Sequence, residues 1–135
     1  MHTVYLSLGS NIGNRKRAMR EAIEFIGERA GTVERQSSLY ETKPWGFESP
    51  NDFINAVVRI STELTPHHLL HVLQKIEYDM GRTVKSVDGV YCDRIIDIDI
   101  LTYDAIKVDD PDLKIPHPLM EERDFVMIPL KEILK

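Results

Sequence analysis

A chain of 135 residues is long enough for one domain with a sizeable core and too short for two. Its formal net charge of −5 argues against general nucleic-acid binding, which needs cations to neutralise phosphates, and no apolar run approaches the roughly 20 residues of a membrane span. The single cysteine, Cys92, excludes a disulfide framework and a cysteine-built zinc site. The expectation is one domain over 1–135, monomeric and cytoplasmic, with neither nucleic acid nor membrane as partner.

Taken in order, residues 3–8 alternate as a strand does, and Gly9-Ser10-Asn11 reads as the turn that ends it. Over 14–30 the apolar residues Ala18, Ala22, Ile23, Ile26 and Ala30 keep helical spacing, with Gly31 as a stop. Residues 32–41 are polar, with Val33, Ser37, Leu39 and Tyr40 suggesting one long, partly exposed strand. Two prolines and a glycine make 42–52 a loop, and 53–62 is a second apolar strand.

Thr65-Pro66 starts a helix, because threonine caps it and proline suits the first helical position. Leu69, Val72, Leu73, Ile76 and Met80 form its buried stripe, and Gly81 ends it in the left-handed conformation. His67-His68 at its start reads as solvated. A second long loop, 82–93, leads to an Ile- and Asp-rich strand. After it come a short strand at 106–108, a polar loop at 109–118 and a C-terminal helix from about 126 to 134. Asp110-Pro111-Asp112 reads as turn chemistry and solvated charge. The order strand, helix, strand, strand, helix, strand predicts an α+β, ferredoxin-like βαββαβ core. Its antiparallel sheet would carry the helices on one face, with the short extra strand and C-terminal helix added.

The most informative segment is Asp93-Arg94-Ile95-Ile96-Asp97-Ile98-Asp99-Ile100. Side chains alternate along a strand, so Ile96, Ile98 and Ile100 share one face and Asp97 and Asp99 the other. Two strand rises separate the aspartates by about 6.6 Å at the backbone. Carboxylates placed so close repel unless a cation lies between them, and magnesium, which takes one or two carboxylates plus phosphate oxygens, is the usual partner. Aspartate is depleted in strands, so two of them interrupting an isoleucine run mark a functional position. Arg82, Lys85 and Arg94 precede this strand or enter it, and His117 and Arg123 follow it. Metal plus cations that hold oxygens in line is what phosphoryl transfer requires of a protein. Loops 42–52 and 82–93 are long enough to close over the acidic face.

In combination these segments resemble the 6-hydroxymethyl-7,8-dihydropterin pyrophosphokinase family, nearly end to end. The resemblance is carried by Leu8-Gly9-Ser10-Asn11, Tyr40-Glu41-Thr42-Lys43-Pro44-Trp45-Gly46 and Asp52-Phe53-Ile54-Asn55-Ala56. It continues through Ile76-Glu77, Gly81-Arg82, Arg94 with Asp97 and Asp99, Ile115-Pro116-His117-Pro118, and Arg123 with Phe125. It implies pyrophosphoryl transfer from MgATP to the pterin alcohol in folate biosynthesis, with those two molecules as partners. Asp97 and Asp99 would hold two magnesium ions, and Arg82 and Arg94 would reach the transferring phosphates. His117 and Arg123 would meet phosphate or ribose. Gln74 and Glu77, on the exposed side of the second helix, would lie along the nucleotide, and the Ile100 backbone would meet adenine. The pterin would stack between Phe53 and Phe125, with Asn55 and Thr42 reading its edge and the backbone near Pro44 and Trp45 adding contacts. Val84 and Asp112 stand where many members carry arginine, and Val90-Tyr91-Cys92-Asp93 departs from the usual run before Arg94. These departures bear on nucleotide affinity.

Two rival classes share this architecture. A ferredoxin-like module that senses a small molecule without chemistry would bind indifferently to magnesium and tolerate Arg94→Ala. An RNA-binding sheet would show salt-sensitive binding, and aspartates on the open face disfavour it.

Overall fold

The computed structural model describes residues 1–43, 51–81 and 95–134. In chain order its elements are β1 (His2–Ser10), α1 (Arg15–Arg29), β2 (Thr32–Gln36), β3 (Tyr40–Thr42), β4 (Phe53–Thr62), α2 (Pro66–Asp79), β5 (Asp97–Tyr103), β6 (Val108–Asp110), β7 (Leu113–Ile115) and α3 (Asp124–Ile133), with a 3-10 turn at Met120–Glu122. The helix ends follow from local chemistry. The Asn14 side chain accepts from the Arg17 N–H to cap α1, and Thr65 accepts from the His68 N–H to cap α2, with Pro66 behind it. Gly81 sits at φ +104°, the left-handed conformation that lets the chain leave α2. Among the described residues no helix is long and apolar enough to cross a membrane.

The sheet runs β2-β4-β1-β5, with β3 also paired to β4, and every pairing is antiparallel. This is the order a split βαβ arrangement produces, as expected. Alternation divides each strand between two faces. Val4, Leu6 and Leu8 of β1, Ala56, Val58 and Ile60 of β4, and Ile98 and Ile100 of β5 pack with Met19, Ala22 and Ile26 of α1 and Leu69, Leu73 and Ile76 of α2.

The second face is not simply open. At one end Val57 and Leu101 pack with Val126, Leu130 and Ile133 of α3 and with Met120, and Tyr5 joins them. Leu101 shares the parity of Asp97 and Asp99, and a bulge there (Leu6 pairs with Ile100 and Tyr5 with Thr102, leaving Leu101 as the extra residue) returns Tyr103 to the first core. The aspartates lie at the other end of the same face.

Other expectations shift. β1 continues through Gly9 and Ser10 instead of turning there. The single strand expected over 32–41 breaks into β2 and β3, because the Ser37 hydroxyl takes over a ladder position and accepts the Val57 N–H at 2.9 Å. The predicted 106–108 strand lies slightly later, as β6, and forms a hairpin with β7 inside what reads as a loop.

Candidate active site

Cross-strand register sets the site in rows. Asn55 of β4, Gly9 of β1 and Asp97 of β5 stand side by side, and the next row is Val57, Ser7 and Asp99. Strands lie about 4.8 Å apart, so Asn55 and Asp97 flank a gap of roughly 9.6 Å at the backbone. Glycine keeps that gap clear, for a Cβ at position 9 would come within 3.0 Å of Asn55 Oδ1 and 3.4 Å of the Phe53 ring. The result is a narrow recess of about 40 Å³ above Gly9.

The recess brings together most of the predicted pterin set with the predicted metal ligands. Phe53 and Asn55 come from β4, Thr42 from β3, Phe125 from the start of α3, and Asp97 and Asp99 from β5. Asn55 is buried, and its Nδ2 donates to Thr42 Oγ1 at 2.5 Å. That bond fixes the amide, so Oδ1 is the group turned toward Gly9. Arg123 also lines this recess, its guanidinium 5.5 Å from the centroid of the Phe125 ring. Burial pulls the Arg123 guanidinium below its ordinary range.

A second groove runs along the outer side of β5, lined by Ile98, Ile100, Asp112 and His117, and Asp99 borders it as well. Asp99 therefore stands where the two cavities meet. The His117 N–H donates to the Leu101 carbonyl at 2.9 Å, which ties the segment after β7 to the strand. The ring nitrogen Nδ1 accepts the Leu119 N–H at 3.3 Å, so the neutral ring carries its proton on Nε2. Burial lowers the His117 imidazole below its ordinary value, and the charge of Asp97 partly opposes this. The donor set of Asp97 and Asp99, two carboxylates on one face of one strand, fits a hard cation such as magnesium.

Gln74 is half-buried on α2 and lines neither cavity. Glu77 departs from its expected setting. It is 4% exposed, inside the buried stripe of α2, and its Oε2 accepts the Ile98 N–H at 2.7 Å. A carboxylate reads as outward-facing, yet Leu69, Leu73 and Glu77 fall on one helical line. His67 is not simply solvated: its Nε2 lies 3.0 Å from Asp110 and 3.5 Å from Asp112, so those aspartates form ion pairs if the ring is protonated. Pro44, Trp45, Arg82 and Arg94, with most of the two long loops, lie outside the described residues.

Several lining residues carried no predicted role, among them Ser7, Gly9 and Lys43 in the recess and Leu70 and Lys114 in the groove. Ser7 had a usable signal, since it shares the parity of Gly9, but alternation alone does not say which neighbours face a ligand.

A sequence model of the family described as 7,8-dihydro-6-hydroxymethylpterin-pyrophosphokinase (HPPK) matches residues 5–135. The chain is 52% identical over 134 residues to the 2-amino-4-hydroxy-6-hydroxymethyldihydropteridine pyrophosphokinase of Porphyromonas gingivalis, covering 98% of this chain and 91% of that protein. It is 44% identical to the protein of the same name from Aquifex aeolicus, covering 98% and 81% respectively. A solved HPPK-DHPS structure in complex with substrates superposes with a TM-score of 0.77 at 15% identity, covering 98% of this chain and 40% of that one, a likeness of fold. The chain belongs to the 7,8-dihydro-6-hydroxymethylpterin-pyrophosphokinase family.

Proposed function

We infer that the protein is an ATP-dependent diphosphokinase of folate biosynthesis. It transfers pyrophosphate from MgATP to the hydroxymethyl group of 6-hydroxymethyl-7,8-dihydropterin and releases AMP and the pterin pyrophosphate. The observation that carries this reading is the row Asn55–Gly9–Asp97, where a slot for a flat ring opens directly onto the acidic pair.

In this proposal the pterin lies over Gly9 between Phe53 and Phe125, and each offset aromatic contact adds roughly 0.5–1.5 kcal/mol beyond burial. Asn55 Oδ1 accepts an N–H from the ring edge, and Thr42 holds the amide in that orientation. Asp97 and Asp99 would hold magnesium, two ions with ATP, and the bound metal would supply charge neutralisation at the phosphate oxygens. Neutral His117 and the Ile100 backbone face the nucleotide groove, and Gln74 is assigned to the nucleotide on the sequence resemblance alone. Arg123 supplies positive charge at the recess. Arg82 and Arg94 are assigned to the transferring phosphates, and Pro44 and Trp45 to the pterin, on the sequence resemblance alone. The pterin hydroxyl oxygen attacks the β-phosphorus, the bond from that phosphorus to the oxygen of the departing AMP breaks, and the hydroxyl proton is lost. Positioning is the main contribution of the protein to this step.

Product identity tests the reaction. With Mg²⁺, ATP and the pterin alcohol, chromatography should show AMP and the pterin pyrophosphate in equal amounts. ADP formation, or no pterin-dependent AMP, would reject it. We also propose that the protein acts as a cytoplasmic monomer, which light scattering on the purified protein and cell fractionation would check.

A further inference from the structure

We propose that Glu77 is a positioning residue for the metal-binding pair, acting through the backbone of β5 and not by contact with the nucleotide. This rests on the reading of Asp97 and Asp99 given above and adds to it a residue that sets their geometry.

The argument begins with where Glu77 sits. A carboxylate in a stripe otherwise made of Leu69, Leu73 and Ile76 is costly to bury, so it needs a partner and a reason. Its oxygen meets the Ile98 N–H at 2.7 Å, a charge-assisted bond to the peptide between the two aspartates. β5 is the outermost strand of the sheet, paired to β1 on its inner side. On an edge strand alternate N–H groups point outward, where no neighbouring strand holds them. Here the outward N–H at the most demanding point of the strand is held by an α2 side chain. α2 is in turn fixed by its apolar stripe in the shared core, packed against α1 and β5.

The consequence is geometric. Asp97 and Asp99 leave the backbone on either side of the held amide, so one bond restrains both Cα–Cβ directions. Without it the strand loses a restraint between the two aspartates, and the pair would no longer converge on one cation. Groups that orient metal ligands in this way change metal affinity by about ten- to a hundredfold when removed. The pterin wall, built from β3, β4 and α3, does not depend on Glu77.

The test needs no turnover. Mg²⁺-dependent binding of a non-hydrolysable ATP analogue, and separately binding of the pterin, are measured by calorimetry for wild type, Glu77→Ala and Glu77→Gln. Hydrogen exchange of the Ile98 amide is followed by NMR in the same proteins. Glu77→Ala should raise the Mg²⁺ concentration for half-maximal analogue binding by about tenfold or more. Its Ile98 amide should exchange faster, while pterin affinity stays within about twofold. Glu77→Gln keeps an acceptor oxygen and should restore both most of the way. Should the alanine variant fail to fold, Glu77→Asp replaces it: the shorter side chain keeps the charge but withdraws the acceptor, and it should behave as alanine does. An unchanged Mg²⁺ dependence in a folded alanine or aspartate variant overturns the proposal. An equal loss of analogue affinity with and without Mg²⁺ also overturns it, because it would mark direct nucleotide contact. If wild type makes no pterin-dependent AMP, the functional reading fails on its own, and the exchange and Mg²⁺ comparisons still decide the role of Glu77.

Discussion

Two ends of one sheet face show how the same strands serve opposite purposes. At one end Tyr5, Val57 and Leu101 pack against the apolar side of α3. At the other, two to four residues along the same strands, Asn55, Gly9 and Asp97 leave a slot lined by an amide, an aromatic edge and a carboxylate. The covered end holds α3 in place, and Phe125 at the start of that helix becomes a wall of the slot. Packing at one end therefore sets the shape of the cavity at the other. Glu132 strengthens the link from the far side of α3, accepting from the Ser38 N–H at 3.0 Å and from the Tyr40 hydroxyl at 2.5 Å, and so tying the helix to the corner that carries Thr42.

The sharpest way to break this contrast is to remove the acids at the slotted end. Asp97→Ala or Asp99→Ala should lower pterin-dependent AMP formation by at least about a hundredfold while circular dichroism and the thermal transition stay close to wild type. Near-normal rates would contradict the metal role. Filling the slot is the next test. Gly9→Ala places a methyl 3.0 Å from Asn55 Oδ1. It should raise the KM for the pterin by about tenfold with little change in the KM for MgATP. Equal effects on both substrates would show that the slot is not a separate pterin site.

The smallest expected effect is on pH dependence. The folded His117 lies below its ordinary value near 6.5, so the unfolded chain takes up that proton more readily. The stability it supports is complete above that value and is lost as pH falls through it toward the lower folded value. Protonation would also remove the acceptor that Nδ1 offers to Leu119. Urea unfolding midpoints should drop between about pH 7.5 and about pH 5.5, and His117→Gln should flatten part of that slope. An unchanged slope in the variant would place the titrating group elsewhere.

Much of the contrast was legible before any coordinates. Alternation put Asp97 and Asp99 on one face, the apolar run gave β4 its observed ends, and Thr65-Pro66 and Gly81 bounded α2. What stayed hidden depended on partners distant in sequence. Glu77 looked outward because its chemistry outweighed its place on the Leu69–Leu73 line, and only the Ile98 amide explains its burial. His67 meets Asp110 and Asp112 more than forty positions away, a pairing that no local pattern encodes. Gly9 read as a turn because glycine usually bends the chain, whereas here it keeps a strand bare. The second face read as open because the position of α3 depends on packing against Val57 and Leu101, which the helical pattern of α3 alone does not specify.

The most direct measurement is a crystal structure with Mg²⁺, a non-hydrolysable ATP analogue and the pterin alcohol bound together. The account predicts the pterin over Gly9 between Phe53 and Phe125, with metal density against both Asp97 and Asp99. A pterin bound elsewhere, or metal held by other groups while these two carboxylates turn aside, would contradict it.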